Sequence, residues 1–258
     1  MQIVIIGTGN TATVLSRKLK AAGHVIVQVY GRNREAAALL AATLHTVSCS
    51  AWSDITQDAA LYIIALADQA LPDAIHLQLK DQLLVHTAGA VSMEVLKNMS
   101  RNYGVFYPLQ TISKEMEPLP DIPLLIDGNS DKVKEELIAL AKTISEKVSI
   151  ANDAERIKYH MCAVMTNNFS NYLYVLAADY CKKHGLNFSN LLPLINETAS
   201  RLHHFSPRVV QTGPAARKDM STIQRHLSLL NEEPELKKMY SFFTEQMLRF
   251  EWTKEVKM

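Results

Sequence analysis

The chain has few cysteines, and its two signs of charge nearly cancel. Among 258 residues the three cysteines, Cys49, Cys162 and Cys181, form no Cys-x-x-Cys pair and no metal-ligand spacing. We therefore expect no bound metal and a reduced, cytoplasmic setting. The 27 basic and 26 acidic residues leave a formal net charge of +1. This balance argues against nucleic acid or an anionic membrane as a partner and favours a small molecule.

Long hydrophobic runs are also missing. The longest purely apolar stretch covers residues 61–67, far short of the roughly 20 residues that span a bilayer. The apolar run at the N-terminus ends at Gly7 and has no basic residues before it, unlike a signal peptide. We expect neither a membrane span nor a secretory leader.

The most informative segment present is Gly7-Thr8-Gly9-Asn10-Thr11-Ala12, which follows the β-rich run Ile3-Val4-Ile5-Ile6 and precedes a helical pattern. In this Gly-x-Gly-x-x-Ala turn, Gly7 suits a tight turn and Gly9 lets backbone amides approach a pyrophosphate. The following helix N-terminus adds partial positive charge. The alternative is a plain glycine turn between strand and helix. The context favours dinucleotide binding through Gly7, Thr8, Gly9, Asn10 and Thr11.

An acidic residue is absent where NAD-binding proteins place one. The next strand pattern, residues 25–30, ends without an acid, and no Asp or Glu occurs before Glu35. The chain instead has Arg32-Asn33-Arg34. Two guanidinium groups and an amide suit a 2′-phosphate, which arginine binds bidentately. The segment could also be a solvated basic turn, but it predicts NADP over NAD.

Residues 1–150 alternate β-rich runs with helical patterns, which is typical of a doubly wound Rossmann sheet. Proline and glycine are then absent from Asn152 to Lys183, which predicts one long helix closed by Gly185. Further helices are expected later in the chain. The expected fold class is α/β, with an NADP-binding domain over 1–150 and an all-helical substrate and dimerisation domain over 151–258. The predicted strands cover 2–6, 25–30, 61–66, 83–87, 104–107, 123–127 and 147–150.

This arrangement resembles the superfamily of 6-phosphogluconate dehydrogenase, 3-hydroxyacid dehydrogenases and pyrroline-5-carboxylate reductase, and the turn at 7–12 is most similar to the reductase. Segments 85–90, 106–111 and 212–214, with Tyr159-His160 and Asn168, resemble one bacterial family that joins a Rossmann-like domain to an uncharacterised helical domain. Its members are usually labelled NADP or deazaflavin-dependent oxidoreductases. The resemblance covers essentially the whole chain and implies NADP-dependent hydride transfer and a homodimer.

The chain also departs from these relatives. Family members commonly have histidine where this sequence has Tyr107, which puts a proton-transfer role at that position in doubt. The hydroxyacid dehydrogenases carry a lysine four residues before a helical asparagine. Here Ala163 and Val164 stand four residues before Asn167 and Asn168. The lysine mechanism therefore does not carry over.

Several side chains are candidates for the reaction. His160 lies near the start of the long helix, and histidine is a common acid or base near neutral pH. On helical spacing Asn167 shares its face, while Asn168 lies about 80° away; at ~1.5 Å per residue they are too far for a direct dyad but could bind the other end of a ligand. A packed or surface histidine is the alternative.

The ends of the predicted strands should border the nicotinamide, because ligands of such sheets bind at the carboxyl ends. Ala65 and Leu66 should pass backbone against the dinucleotide, and Thr87 and Ala88 should adjoin it. Tyr107 and Gln110 can donate hydrogen bonds to a substrate. We expect an NADP-dependent oxidoreductase acting on a small carbonyl or imine. Two alternatives stay open: an NADP(H) sensor without turnover, and an oxidoreductase that uses a deazaflavin or flavin cosubstrate.

Overall fold

A computed structural model describes residues 1–115 and 117–252 of the chain. The chain divides by contacts into two compact units, residues 1–169 and the residues from Ser170 onward. The first unit contains the sheet with its covering helices, and the second is helical. The α/β fold class expected from the sequence is confirmed.

The first unit is built on a mostly parallel sheet of eight strands within the described residues. Its order is β3-β2-β1-β4-β5-β6-β7-β8, and only the β6–β7 pair is antiparallel. The short strand β3 was not expected from the sequence. The strands are β1 (Gln2–Ile6), β2 (Val25–Tyr30), β3 (Val47–Cys49), β4 (Leu61–Ile64), β5 (Leu83–His86), β6 (Asn102–Pro108), β7 (Leu124–Gly128) and β8 (Val148–Ile150).

The sequences of the central strands are nearly continuous apolar runs because both faces of the sheet are covered. In β1, Ile3 and Ile5 belong to one buried cluster, while Val4 and Ile6 belong to a second. The first cluster includes residues of the covering helices α1 (Asn10–Ala21), α2 (Arg34–Leu44) and α3 (Asp131–Ala141), and the second includes residues of shorter 3-10 segments. These 3-10 segments are Trp52–Asp54, Asp68–His76 and Met93–Leu96.

The strand register brings the candidate residues to one edge of the sheet. Ile6 pairs with Ile64, and Ile64 pairs with His86. His86 in turn pairs with Val105 of β6. The residues that follow these strands therefore meet at a common carboxyl edge, as the sequence predicted.

The long helical stretch contains a π-helical segment. Helix α4 (Asp153–Ala163) begins with a capping box formed by Asn152 and Glu155, and a π-helical segment covers Val164–Phe169. Helix α5 (Ser170–Lys183) follows. Single-turn π segments occur often at functional sites because they change the direction of the side chains they carry.

The second unit contains α5, a 3-10 turn at Phe188–Leu191, α6 (Leu192–Arg201), α7 (Pro207–Val210), α8 (Met220–Leu229) and α9 (Pro234–Arg249). The Asp219 carboxylate caps α8 by accepting from the backbone and hydroxyl of Thr222. His226 of α8 is 2.8 Å from the Tyr240 hydroxyl of α9. Over the described part of the chain, no helix is long and apolar enough to cross a membrane.

Candidate functional site

The glycine turn after β1 has the geometry that a dinucleotide requires. Gly7 has a φ of +128°, and its amide donates to the Tyr30 carbonyl at 2.8 Å. A Cβ on Gly7 would lie 2.2 Å from the Ala65 carbonyl oxygen, so only glycine fits here. Gly9 caps α1 and has nothing within 4 Å of the position a Cβ would take. The turn thus holds β1 close to β4 and leaves open space at the helix N-terminus for a pyrophosphate.

Several other predicted cofactor residues lie in this turn or next to it. The Thr8 methyl group is close to Gly31, where a Cβ would lie only 2.6 Å away from it. Asn10 is the first residue of α1, and Thr11 follows it in the same turn. Ala65 and the partly buried Leu66 come directly after β4.

The residues of the basic segment after β2, Arg32 to Arg34, differ in their contacts. The Asn33 side chain accepts from the Ala36 amide at 3.0 Å and caps α2, so it already has a structural partner. The exposed Arg32 guanidinium lies 3.3 Å from the Asp73 carboxylate, and Arg34 is the first residue of α2. Exposed ion pairs of this kind contribute little, so a phosphate can displace Asp73. Asp73 was not expected at this position, because it lies 41 residues from Arg32 along the chain.

The segment after β5, residues 87–89, adjoins the Tyr107 and His160 side chains. The Thr87 hydroxyl donates to the Ile64 carbonyl at 3.3 Å, and the Ala88 amide donates to His86 Nδ1 at 3.1 Å. Both groups therefore have partners inside the protein. A Cβ on Gly89 would lie 2.7 Å from His160 Nδ1 and 2.8 Å from Tyr107 Cζ. Gly89 thus permits the close approach of these two rings.

A cavity of about 510 Å³ brings five of the predicted catalytic residues together. All of them line it, although they come from the end of β6, from α4 and from the π-helical segment. This volume is in the range of small-molecule sites. The predicted residues are Tyr107, Gln110, His160, Asn167 and Asn168, and Leu109, Thr111, Tyr159, Cys162, Ala163, Val164 and Thr166 complete the lining.

Tyr107 and His160 form the polar centre of this wall. The Tyr107 hydroxyl lies 3.1 Å from His160 Nδ1, and the two rings meet edge to face with centroids 6.1 Å apart. Burial raises the pKa of the Tyr107 phenol above its ordinary value, and the Asp68 carboxylate adds to the rise while Arg156 opposes it. The phenol is therefore neutral at physiological pH, and it fixes the orientation of the imidazole.

The π-helical segment places both asparagines on the cavity. Its Thr166 hydroxyl donates to the Cys162 carbonyl at 3.0 Å, and the Asn167 amide donates to the Thr111 hydroxyl at 2.5 Å. On regular α-helical spacing Asn168 lies about 80° away from His160 around the helix, and in the structure both asparagines line the cavity with His160. The Gln110 side chain accepts from the Thr111 amide at 3.0 Å.

Three charged or titratable residues near the site were not found from the sequence. Asp68 follows β4 and acts on Tyr107. His86 is fully buried at the end of β5, and burial, followed by the charge of Arg156, lowers its pKa to about 4. Arg156 is itself buried on α4. Its spacing of four residues from His160 was the available signal, because such residues share a helix face.

Comparisons with known proteins identify the family of the chain. A family model for coenzyme F420-dependent NADP oxidoreductases matches residues 2–89, and a model for a domain of unknown function matches residues 122–247. A solved structure from Bacteroides fragilis, described as a presumed NADP oxidoreductase, is 38% identical, with 96% of this chain and 98% of that chain covered and a TM-score of 0.90. The chain belongs to this NADP oxidoreductase family. The family and the NADP cofactor expected from the sequence are thus confirmed.

More distant structures share the fold. A 1-pyrroline-5-carboxylate reductase from Streptococcus pyogenes is 15% identical with a TM-score of 0.65, covering 97% of this chain and 99% of that one. A reductive aminase from Aspergillus terreus is 14% identical with a TM-score of 0.68, covering 96% and 93%. No curated protein sequence matches the chain significantly.

Proposed function

We propose that this oxidoreductase uses NADPH to reduce the C=N or C=O bond of a small molecule held in the cavity beside His160. The Gly7–Asn10 turn would hold the pyrophosphate, and Arg32 and Arg34 the 2′-phosphate. The nicotinamide would then lie at the carboxyl edge, near Thr87 and Ala88. NADPH, when bound, supplies the hydride to the substrate carbon.

The observation that carries the proposal is the hydrogen bond between Tyr107 and His160 on the cavity wall. A protonated His160 can donate Nδ1–H to the Tyr107 oxygen and present Nε2–H to the substrate. The proton would pass from Nε2 to the substrate nitrogen or oxygen as the carbon receives the hydride, which leaves a neutral imidazole to be reprotonated from solvent. Tyr107 would orient the imidazole ring. Family members commonly have histidine at the position of Tyr107, and His160 would supply the titratable group that is missing there.

The amide side chains give the cavity its hydrogen-bonding capacity. Gln110, Asn167 and Asn168 offer donors and acceptors that would hold the far end of a substrate. The C=N or C=O class is also supported by the names of the two distant relatives, a pyrroline-carboxylate reductase and a reductive aminase.

The experiment is to follow NADPH oxidation with 2-methyl-1-pyrroline and with cyclohexanone as probes, in the wild type and in His160→Ala. A general acid contributes about 10²–10⁴ in rate, so kcat should fall by that factor while NADPH affinity is unchanged. His203→Ala changes an exposed histidine in the second unit and is the matched control. Full turnover by His160→Ala from pH 5 to 9 would contradict the proposal.

The family model supports a second candidate function, the transfer of hydride between NADPH and a deazaflavin. That model matches only residues 2–89, whereas the cavity is lined by residues from 107 onward. A deazaflavin should therefore be offered alongside the imine and the ketone. A protein that binds NADPH, changes its assembly state and reduces none of the three would instead be an NADP(H) sensor.

We also propose that the second unit joins two chains into a homodimer in the cytoplasm. Among its described residues, only Cys181, Ala215, Ile223 and Leu230 are buried, while many large apolar side chains are exposed. An apolar surface of this kind is typical of an interface. The cytoplasmic location is supported by three free cysteines.

A further inference from the structure

Arg156 is a buried cation close to the reaction centre. Its side chain is only 1% exposed and is the largest fully buried side chain of the described residues. The guanidinium Nη2 donates to the Val91 carbonyl at 2.5 Å and to Asp153 Oδ1 at 2.6 Å. Arginine is almost never fully buried unless it is paired, because removing its charge from water is costly.

The partners of Arg156 connect α4 to the segment that follows β5. Asp153 also accepts from the Met93 amide at 3.3 Å. Partial burial by itself would raise the pKa of Asp153, but hydrogen bonds from Ser92 and Arg156 together hold that pKa below its usual range. The first turn of α4 is therefore joined to residues 91–93 by a set of charge-assisted hydrogen bonds, which are stronger than neutral ones.

Both ends of this connection carry parts of the proposed site. His160 lies one turn after Arg156 on α4, and Gly89 lies two residues before Val91. A Cβ on Gly89 would lie within 3 Å of both the His160 and the Tyr107 ring, so both rings pack against the chain at this residue. A shift of α4 relative to residues 89–93 would therefore change the position of the imidazole above that segment.

The stability of the folded protein does not by itself explain why Arg156 is buried with Val91 and Asp153. Among the described residues, Arg156 Nε and Nη1 have no hydrogen-bond partner. Each unsatisfied buried donor costs about 1–3 kcal/mol. Buried ion pairs can often be replaced by apolar residues of similar volume without loss of stability.

We infer that Arg156 is a positioning residue for the reaction: by holding Val91 and Asp153 it fixes His160 at the distance from the 87–89 segment that hydride and proton transfer require. This inference rests on the proposed function. Small displacements of a reacting group cost up to about 100-fold in rate. Arg156 would therefore affect kcat without touching substrate or cofactor.

The test compares Arg156→Met, which keeps the volume, with Arg156→Lys, which keeps the charge and one donor group. Arg101→Met is the control, because Arg101 forms an exposed ion pair with Asp81 at the opposite edge of the sheet. Each variant is measured well below its melting temperature for three quantities. These are the ring resonances of His160 in NMR spectra, the NADPH dissociation constant, and kcat with 2-methyl-1-pyrroline.

In Arg156→Met we expect displaced His160 resonances and a kcat lower by about 10- to 100-fold, with NADPH affinity unchanged. Arg156→Lys should restore part of both, and Arg101→Met should match the wild type. Wild-type His160 resonances and kcat in Arg156→Met would overturn the inference. If that variant does not fold, Asp153→Asn replaces it under the same criteria. If the wild type reduces no imine, the proposed function has failed. The His160 resonances of Arg156→Met then test the inference about Arg156 by themselves, so the two failures can be told apart.

Discussion

The two units of the chain differ in how they bury their apolar residues. The first unit has two large clusters on opposite faces of the sheet, and its central strands are fully buried. In the described part of the second unit, four hydrophobic residues are buried, and exposed aromatic residues such as Tyr172, Phe242 and Phe250 are common. The first unit therefore has a large core of its own, whereas the second unit leaves most of its large apolar side chains exposed or only partly buried in the single chain.

The candidate site follows the same division. The cofactor turn, the cavity and the Arg156 contacts all belong to residues 1–169. We therefore expect substitutions in the first unit to change stability, cofactor binding and rate, and substitutions of exposed apolar residues in the second unit to change assembly.

Gly7→Ala should have the largest effect. Its Cβ would lie 2.2 Å from a backbone oxygen, and its φ of +128° is strained for any other residue. We expect a loss of about 3 kcal/mol or more in the free energy of unfolding. Chemical denaturation measures it. Gly9→Ala is the control, because a Cβ there meets nothing within 4 Å; its stability should match the wild type while its NADPH affinity falls. Equal stability of the two variants would contradict this account.

His86 should make the first unit sensitive to acid. Its folded pKa is lowered to about 4 from a model-peptide value of 6.5, so above pH 6.5 both the folded and the unfolded protein carry it neutral. As pH falls from 6.5 to 4, only the unfolded chain takes up the proton, and stability falls by about 3 kcal/mol. His86→Asn keeps an acceptor for the Ala88 amide and should remove that loss. Denaturation at pH 7 and pH 4 measures both proteins.

The control for this titration is His203→Asn, at an exposed position of the second unit. It should keep the wild-type dependence on pH. A His86→Asn variant that loses as much stability between pH 7 and pH 4 as the wild type would show that other groups cause the acid sensitivity.

The exposed aromatic side chains of the second unit should control assembly. Glutamate at both Tyr172 and Phe242 places charges at positions that are 54% and 56% exposed in the single chain. We expect dimer association to weaken by about 2 kcal/mol, roughly 30-fold. Light scattering over a range of concentrations measures it. Leu39→Glu, at a position of α2 that is 70% exposed, should leave the mass unchanged. A monomeric wild type at micromolar concentration would contradict the proposed homodimer.

Arg32 should give the smallest effect, confined to the cofactor phosphate. Arg32→Ala should weaken NADPH binding by about 10-fold, since a charge-assisted hydrogen bond contributes about 1.5–3 kcal/mol, and should leave NADH binding unchanged. Asp73→Asn should strengthen NADPH binding slightly because it frees the guanidinium. Fluorescence titration with both cofactors measures these changes. An equal loss of affinity for NADPH and NADH would exclude a role specific to the 2′-phosphate.

The fold could be predicted from the sequence because the central strands and glycine turns carry strong local signals. Seven of the eight strands follow from apolar runs, but β3 is short and half exposed and gives no such signal. The uniform helical pattern after Asn152 predicted a helix but not the π-helical segment at Val164–Phe169, because the helical spacing of the apolar residues does not distinguish the two.

The sequence identified residues of the candidate site but not the contacts between them. His160, Tyr107 and Gln110 were identified by position and resemblance, but the contact between Tyr107 and His160 joins residues 53 apart and depends on Gly89. His86, Arg156 and Asp73 were missed for the same reason, because their significance comes from burial or from partners distant in sequence. Asn33 was predicted as a phosphate ligand, and its bond to Ala36 shows that it also caps α2.

The central claim is direct hydride transfer from NADPH to a small molecule beside His160. NADPH carrying deuterium at C4 of the nicotinamide is mixed with the protein and with 2-methyl-1-pyrroline, cyclohexanone and a deazaflavin in separate reactions, and the products are examined by mass spectrometry. We predict deuterium on the reduced carbon of the imine or the ketone, at a rate that His160→Ala lowers by about 10²–10⁴. NADPH that binds but transfers no deuterium to either probe, or transfers it only to the deazaflavin, would contradict the account.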